Sequence, residues 1–136
     1  MRLCAILFLA MAMTVASFAE SSAGSGELRG AWRVLTIDGA PPGGRAGVSL
    51  HFEPDGRLFG QGPCNRYHAG YRIEGDRVLF SSGATTRMFC GEEIMRAERR
   101  FMQALGGGAV WRVDGDSLTL SAENGAMITA IRSRAR

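Results

Sequence analysis

The sequence contains no lysine, and all 16 of its basic side chains are arginines spread along the chain. Thirteen acidic residues nearly balance them, which leaves a formal net charge of +3 at pH 7. A charge this small and this dispersed gives no argument for a nucleic-acid partner or for an anionic membrane surface. We therefore expect no nucleic acid among the partners.

Motifs that carry enzymatic chemistry are also missing. The chain has no Gly-x-Ser-x-Gly sequence to expose a serine nucleophile and no Cys-x-x-Cys redox pair. Its paired glycines do not make a phosphate-binding loop. Aspartate occurs mainly in predicted turns, where it is common for conformational reasons. We expect no enzymatic activity, no catalytic residue and no cofactor.

The long apolar run of the chain is confined to its N-terminus. Arg2 precedes an apolar stretch over residues 3–15, and a Ser-Phe-Ala sequence follows at 17–19. The stretch is shorter than the roughly 20 residues that a membrane span needs, and the small residues suit a cleavage site. We predict a signal peptide over 1–19, with an uncleaved anchor as the alternative, and a flexible leader over 20–27. The protein would be periplasmic or secreted, with no membrane span after cleavage.

Glycine and proline divide the rest of the chain into short segments. Residues 48–53 and 69–74 alternate between apolar and polar side chains, which indicates strands, and turn sequences such as Pro-Asp-Gly separate them. Residues 92–105 instead carry apolar side chains at helical spacing. The pattern predicts one mainly β domain over 28–132, followed by a tail over 133–136. It is a small antiparallel β-barrel-like domain of about eight strands, with one α-helix between the fifth and sixth strands. The predicted strands cover residues 28–37, 48–53, 57–61, 69–74, 77–81, 110–113, 118–121 and 127–131.

Two cysteines remain after the predicted cleavage, Cys64 and Cys90. In an oxidising compartment we expect them to form a disulfide, with two free thiols as the alternative. A metal site that recruited them with His51 and His68 would have ligand types that suit zinc. Their spacing is poor for that purpose, so we predict no metal.

Several motifs follow one another along the chain: Trp32, Phe52, Gly56, Gly62-Pro63-Cys64-Asn65-Arg66-Tyr67, Gly70, Thr86-x-Met88-x-Cys90, Glu98, Phe101 and Leu105. In this order they resemble the META/HslJ domain family. The resemblance covers about residues 28–131, and it implies a small barrel-like domain found in secreted and envelope proteins linked to stress tolerance. It implies no enzymatic activity. Two positions depart from the family pattern: Pro63, which should alter its turn locally, and Phe89, which should need extra room against the helix.

Residues 63–70 are predicted to be a loop, and this loop is the candidate partner-binding site. Asn65 and Tyr67 would hold its shape, because asparagine bonds its own backbone in turns and tyrosine buries its ring. Arg66 and His68 would point outward and contact the partner.

These observations lead to one expected function and two alternatives. We expect a monomeric, non-enzymatic, exported domain that acts in envelope stress tolerance by binding or supporting other envelope components. The first alternative is an inhibitor of a protease or lysozyme through the 63–70 loop. The second is a carrier of a small apolar ligand, which requires an open apolar pocket. The partner would be an envelope protein of unknown identity or such a ligand.

Overall fold

The computed structural model describes residues 27–44 and 47–134. The predicted signal peptide and the leader up to residue 26 lie outside the described residues, as do residues 135–136 of the predicted tail. Within the described part of the chain, no helix is long and apolar enough to cross a membrane. The elements are β1 (Gly30–Ile37), β2 (Ser49–Phe52), β3 (Arg57–Gln61), β4 (Arg66–Glu74), β5 (Arg77–Thr85), α1 (Glu92–Ala104), β6 (Gly108–Asp114), β7 (Ser117–Ala122) and β8 (Met127–Arg132).

The strands form a closed antiparallel barrel in which each strand pairs with the next one along the chain. β8 returns to pair with β1 over five residue pairs, from Trp32 opposite Arg132 to Ile37 opposite Ile128. Short turns make this order possible, because a strand that follows a tight turn pairs antiparallel with its predecessor. The predicted fold class is therefore confirmed, including the helix between the fifth and sixth strands.

The predicted loop over 63–70 is wrong over most of its length. β4 begins at Arg66, where Arg66 pairs with Gln61 and Tyr67 pairs with Gly60 of β3. The connection between β3 and β4 is therefore limited to residues 62–65. Tyr67 is buried and Arg66 and His68 are exposed, so the alternation of a strand starts three residues earlier than predicted.

β5 also extends four residues beyond the predicted strand, to Thr85. A register shift in its pairing with β4 places Ser82 and Gly83 opposite Ala69, which is a β-bulge. A Cβ atom at Gly83 would overlap the carbonyl oxygen of His68, so glycine alone fits this position. The bulge lets a run of small, polar residues continue a strand that the sequence pattern had ended.

The interior of the barrel is filled by side chains. The inward-facing residues of the strands meet the apolar face of α1, which contributes Phe101 and Ala104 to the core. The buried face of α1 also includes Glu98, a charged residue on an otherwise apolar stripe. The largest fully buried side chains are Trp32, Phe52, Phe101, Leu28, Ile37, Leu50, Leu58, Leu118, Leu120, Ile128, Val48 and Val78.

Candidate functional site

A disulfide between Cys64 and Cys90 joins the β3–β4 connection to the segment that precedes α1. Their Cα atoms are 5.8 Å apart. The disulfide predicted from the two cysteines is confirmed in the structure. It fixes two stretches of chain that the β4–β5 hairpin separates in sequence.

Glu98 of α1 holds the β3–β4 connection from inside the protein. Its Oε2 atom accepts hydrogen bonds from the backbone N–H groups of Cys64 (2.6 Å) and Asn65 (2.9 Å). Hydrogen bonds to a carboxylate are stronger than those between neutral groups. The N–H of Gly62 donates to the carbonyl of Asn65 (2.7 Å), and a Cβ atom at Gly62 would lie 2.7 Å from Oε1 of Glu98. The connection therefore needs both the glycine and the buried carboxylate.

Asn65 fixes the segment before the helix and does not simply shape its own turn. Its Oδ1 atom accepts hydrogen bonds from the Met88 N–H (2.7 Å) and the Thr86 hydroxyl (2.9 Å). Its Nδ2 atom donates to the carbonyl of Met88 (3.3 Å). The side-chain amide thus binds Met88 as a neighbouring strand would. We had expected it to bond its local backbone, and its partners lie more than 20 residues away in sequence.

Tyr67 is buried between the sheet and the helix. Its hydroxyl donates a hydrogen bond to the carbonyl of Ser49 (2.7 Å). Its ring meets Phe101 edge to face, with centroids 5.3 Å apart. Burial raises the pKa of the Tyr67 hydroxyl far above its ordinary value.

Arg66 and His68 are exposed on the outer face of β4, opposite Gln61 and Phe59 of β3. His51 of β2 stacks on Phe59, with centroids 4.9 Å apart and ring planes 12° from parallel. Phe59 was not among the residues predicted for the site. The sequence pattern that could have indicated it is an aromatic side chain on the polar face of an alternating strand.

A pocket of about 500 Å³ opens beside the disulfide. Arg66 and Gln61 line it on the sheet side, and Met88 and Ile94 line it on the helix side. Phe89 next to it is 75% exposed, so the expectation that this ring needs room against the helix is wrong. The backbone on both sides of the ring is held, by Asn65 at Met88 and by the disulfide at Cys90.

Removing the disulfide should destabilise the fold by about 3 kcal/mol, because the unfolded chain regains the entropy of an open loop. We expect the Cys64→Ser/Cys90→Ser double variant to melt about 10–20 °C below the wild type in a calorimetric scan. Wild-type protein treated with dithiothreitol is the matched control and should melt with the variant. An unchanged melting temperature, or thiols that react in the denatured, unreduced protein, would contradict this prediction.

Comparisons with known proteins agree with this architecture. An NMR structure of a protein from Burkholderia xenovorans has a TM-score of 0.66 and 21% identity, over 96% of this chain and 100% of that chain. A second NMR structure has a TM-score of 0.62 and 17% identity, over 76% and 89% of the two chains. A crystal structure of a DUF4847 family protein from Bacteroides vulgatus ATCC 8482 has a TM-score of 0.55 and 15% identity, over 79% and 94%.

At such identities these likenesses show the fold alone. No curated protein matches the chain. The family model of the META domain matches residues 26–135, which is most of the chain and includes every element of the barrel. The chain therefore belongs to the META domain family.

Proposed function

We propose that this protein is an exported, non-enzymatic META domain that acts in envelope stress tolerance by binding another envelope component. The observation that carries the proposal is the rigid display of Arg66 and His68. Both side chains are exposed, while Asn65 and Tyr67, which flank Arg66 in the chain, are buried and hydrogen-bonded. Exposed polar groups on a fixed backbone are what a recognition surface requires. The signal-peptide pattern of residues 1–19 supports export.

The proposed contact surface, called here the outer patch, consists of Phe59, Gln61, Arg66 and His68. Gln61 lies opposite Arg66, and Phe59 lies opposite His68. Side chains directly opposite on a sheet are about 5 Å apart, and those two residues apart along a strand are about 6.6 Å apart. The patch therefore combines an aromatic ring, an amide and a guanidinium within one small area. A partner that offers an acidic group beside an apolar one fits it best.

The described structure does not favour a carrier of a small apolar ligand or an inhibitor that uses residues 63–70. A carrier needs an open apolar cavity, and large side chains such as Trp32 and Phe52 fill the barrel interior. An inhibitor that used residues 63–70 would need an exposed loop. Pro63, Cys64 and Asn65 are buried instead, and the chain from Arg66 onward is strand.

The test is photo-crosslinking of the full chain in its native envelope, followed by recovery of the crosslinked complex. We expect the Arg66→Ala/His68→Ala double variant to lose about 90% or more of the complex. The two side chains together would then contribute about 1.4 kcal/mol or more to the binding free energy. Its melting temperature should stay within about 2 °C of the wild type, because exposed substitutions change stability little.

Arg112→Ala is the matched control, since Arg112 is an exposed arginine on β6, away from the outer patch. It should crosslink like the wild type. Equal recovery of the complex from the double variant and from Arg112→Ala would rule out the outer patch as the contact surface.

A further inference from the structure

Residues 81–89 form the longest run of exposed residues in the described chain, and residues 86–90, which overlap its end, have no regular secondary structure. Three large side chains follow one another in residues 86–90. Met88 is 53% exposed and Phe89 is 75% exposed, and Arg87 before them is also exposed. Met88 and Phe89 are the two most exposed large apolar side chains of the described residues, and they are consecutive.

Residues 86–90 follow β5 directly, and the backbone groups of alternate residues, Thr86 and Met88, are hydrogen-bonded to Arg66 and Asn65, as in an extended chain. The Thr86 N–H donates to the carbonyl of Arg66 (3.0 Å), and both backbone polar groups of Met88 bind the Asn65 amide. In an extended chain alternate residues direct their N–H and C=O groups to opposite sides. Because residues 86 and 88 face β4, Arg87 and Phe89 direct their backbone groups away from the barrel.

From this geometry we propose that residues 86–90 are an inhibitory segment for a serine endopeptidase with a deep apolar specificity pocket, and that Phe89 fills the pocket. A cleft that accepts an extended chain binds the outward N–H and C=O groups as a sheet edge would. The apolar slot that selects an aromatic residue is characteristic of the chymotrypsin type. The side chains that lead up to the segment, Ser81 to Thr85, are small and leave room for the rim of such a cleft.

Both residues that flank Phe89 are tethered, and this is what makes the segment an inhibitor instead of a substrate. Hydrolysis of the Phe89–Cys90 peptide bond would consume one water and leave a carboxylate on Phe89 and an amine on Cys90. The first end stays attached through Met88 to Asn65, and the second stays attached through the disulfide to Cys64. Since Cys64 and Asn65 are consecutive, the cut ends remain side by side and the product leaves slowly. Rigidity of this kind also lowers the entropic cost of binding.

The inference goes beyond the proposed envelope function and uses none of the outer patch side chains, because Arg66 contributes only its backbone carbonyl. Loss of the Arg66 and His68 side chains should leave protease inhibition intact, and loss of Phe89 should leave the crosslinked complex intact. Either proposal can therefore fail without the other.

The test measures hydrolysis of a small chromogenic peptide by chymotrypsin in the presence of the oxidised full-length protein. We expect competitive inhibition by the wild type, and an inhibition constant at least about 30-fold higher for Phe89→Ala, as for the loss of an aromatic anchor. Phe89→Arg should transfer the inhibition from chymotrypsin to trypsin. Met127→Ala is the matched control, because Met127 is 46% exposed on β8, and it should inhibit like the wild type.

A second measurement separates inhibition from ordinary cleavage. The Cys64→Ser/Cys90→Ser variant should be cut rapidly after Phe89, as seen by mass spectrometry, because one tether is lost. Four outcomes would overturn the proposal. The first is rapid cleavage of the oxidised wild type, and the second is no inhibition of either enzyme by the wild type and by Phe89→Arg. The third is inhibition of trypsin by the wild type that Phe89→Ala leaves unchanged, and the fourth is a dimer in gel filtration that Phe89→Ala abolishes. The last would show that a second copy of the chain occupies the segment.

Discussion

Replacement of Tyr67 by alanine should lower the free energy of unfolding by about 4–5 kcal/mol. Loss of a buried aromatic side chain costs about 3–5 kcal/mol, because it removes apolar contacts and leaves a cavity. Here the lost contacts include the edge-to-face pairing with Phe101, and the carbonyl of Ser49 also loses its hydrogen bond. We expect the urea midpoint to fall accordingly with an unchanged slope.

Tyr67→Phe is the matched control for this prediction. It keeps the ring and removes only the hydroxyl, so it should cost about 1–2 kcal/mol for the unpaired carbonyl of Ser49. If Tyr67→Ala were no less stable than Tyr67→Phe, the ring would not be packed against the helix as the structure places it.

Alkaline titration gives a second readout of the same burial. The chain has two tyrosines, and burial is the main cause that raises the pKa of both Tyr67 and Tyr71. The native protein should therefore show little phenolate absorbance at about pH 10, where a denatured tyrosine is half ionised. A pKa that is higher in the folded state contributes stability that is fully present below the pKa of the unfolded state. This contribution is lost as pH rises above about 10, so unfolding should become easier there.

Local patterns in the sequence were enough to predict the barrel. Alternation of apolar side chains in segments such as 48–53, with glycine turns between them, depends only on near neighbours in the chain. The same holds for the helical stripe of Phe101 and Leu105. Tight turns pair neighbouring strands, and a sheet of eight short strands with one polar face favours closure, because closure removes unpaired edges.

The details around the disulfide could not be read in this way, because they depend on contacts between distant segments. Asn65 looked like a residue that shapes its own turn, and its hydrogen-bond partners are Thr86 and Met88. The predicted fifth strand ends at residue 81, and the small residues after it continue the strand only through a bulge opposite Ala69. Phe89 was expected to need room against the helix, because nothing in its sequence neighbours shows that Asn65 and the disulfide hold the backbone beside it.

Glu98 is the clearest example of a role that depends on contacts between distant segments and cannot be predicted from local patterns. On a helix, a glutamate beside a run of arginines resembles an ordinary surface residue, and glutamate is almost never fully buried unless it is paired. Its partners are backbone N–H groups more than 30 residues away, which leave no trace in the pattern of side chains. A resemblance to the family marks the position without explaining it.

Glu98→Ala should therefore destabilise the protein by about 4 kcal/mol. The change leaves the buried N–H groups of Cys64 and Asn65 without an acceptor, at about 1–3 kcal/mol each, and opens a cavity between α1 and the β3–β4 connection. Glu98→Gln keeps one oxygen in place and should lose about half as much, since only the charge-assisted part of the bonds disappears. Glu93→Ala, at an exposed position in the first turn of the same helix, is the surface control and should cost less than about 1 kcal/mol.

Amide hydrogen exchange distinguishes this mechanism from a general loss of helix stability. In Glu98→Ala the amides of Cys64 and Asn65 should exchange much faster than those of β7, which lies elsewhere in the barrel. The Met88 amide should follow them, because Asn65 holds it and Glu98 holds Asn65. If the exchange of all protected amides instead became faster by the same factor, the Glu98 carboxylate would stabilise the whole fold and not the β3–β4 connection in particular. The proposed series of contacts from α1 through Asn65 to residues 86–90 would then be wrong.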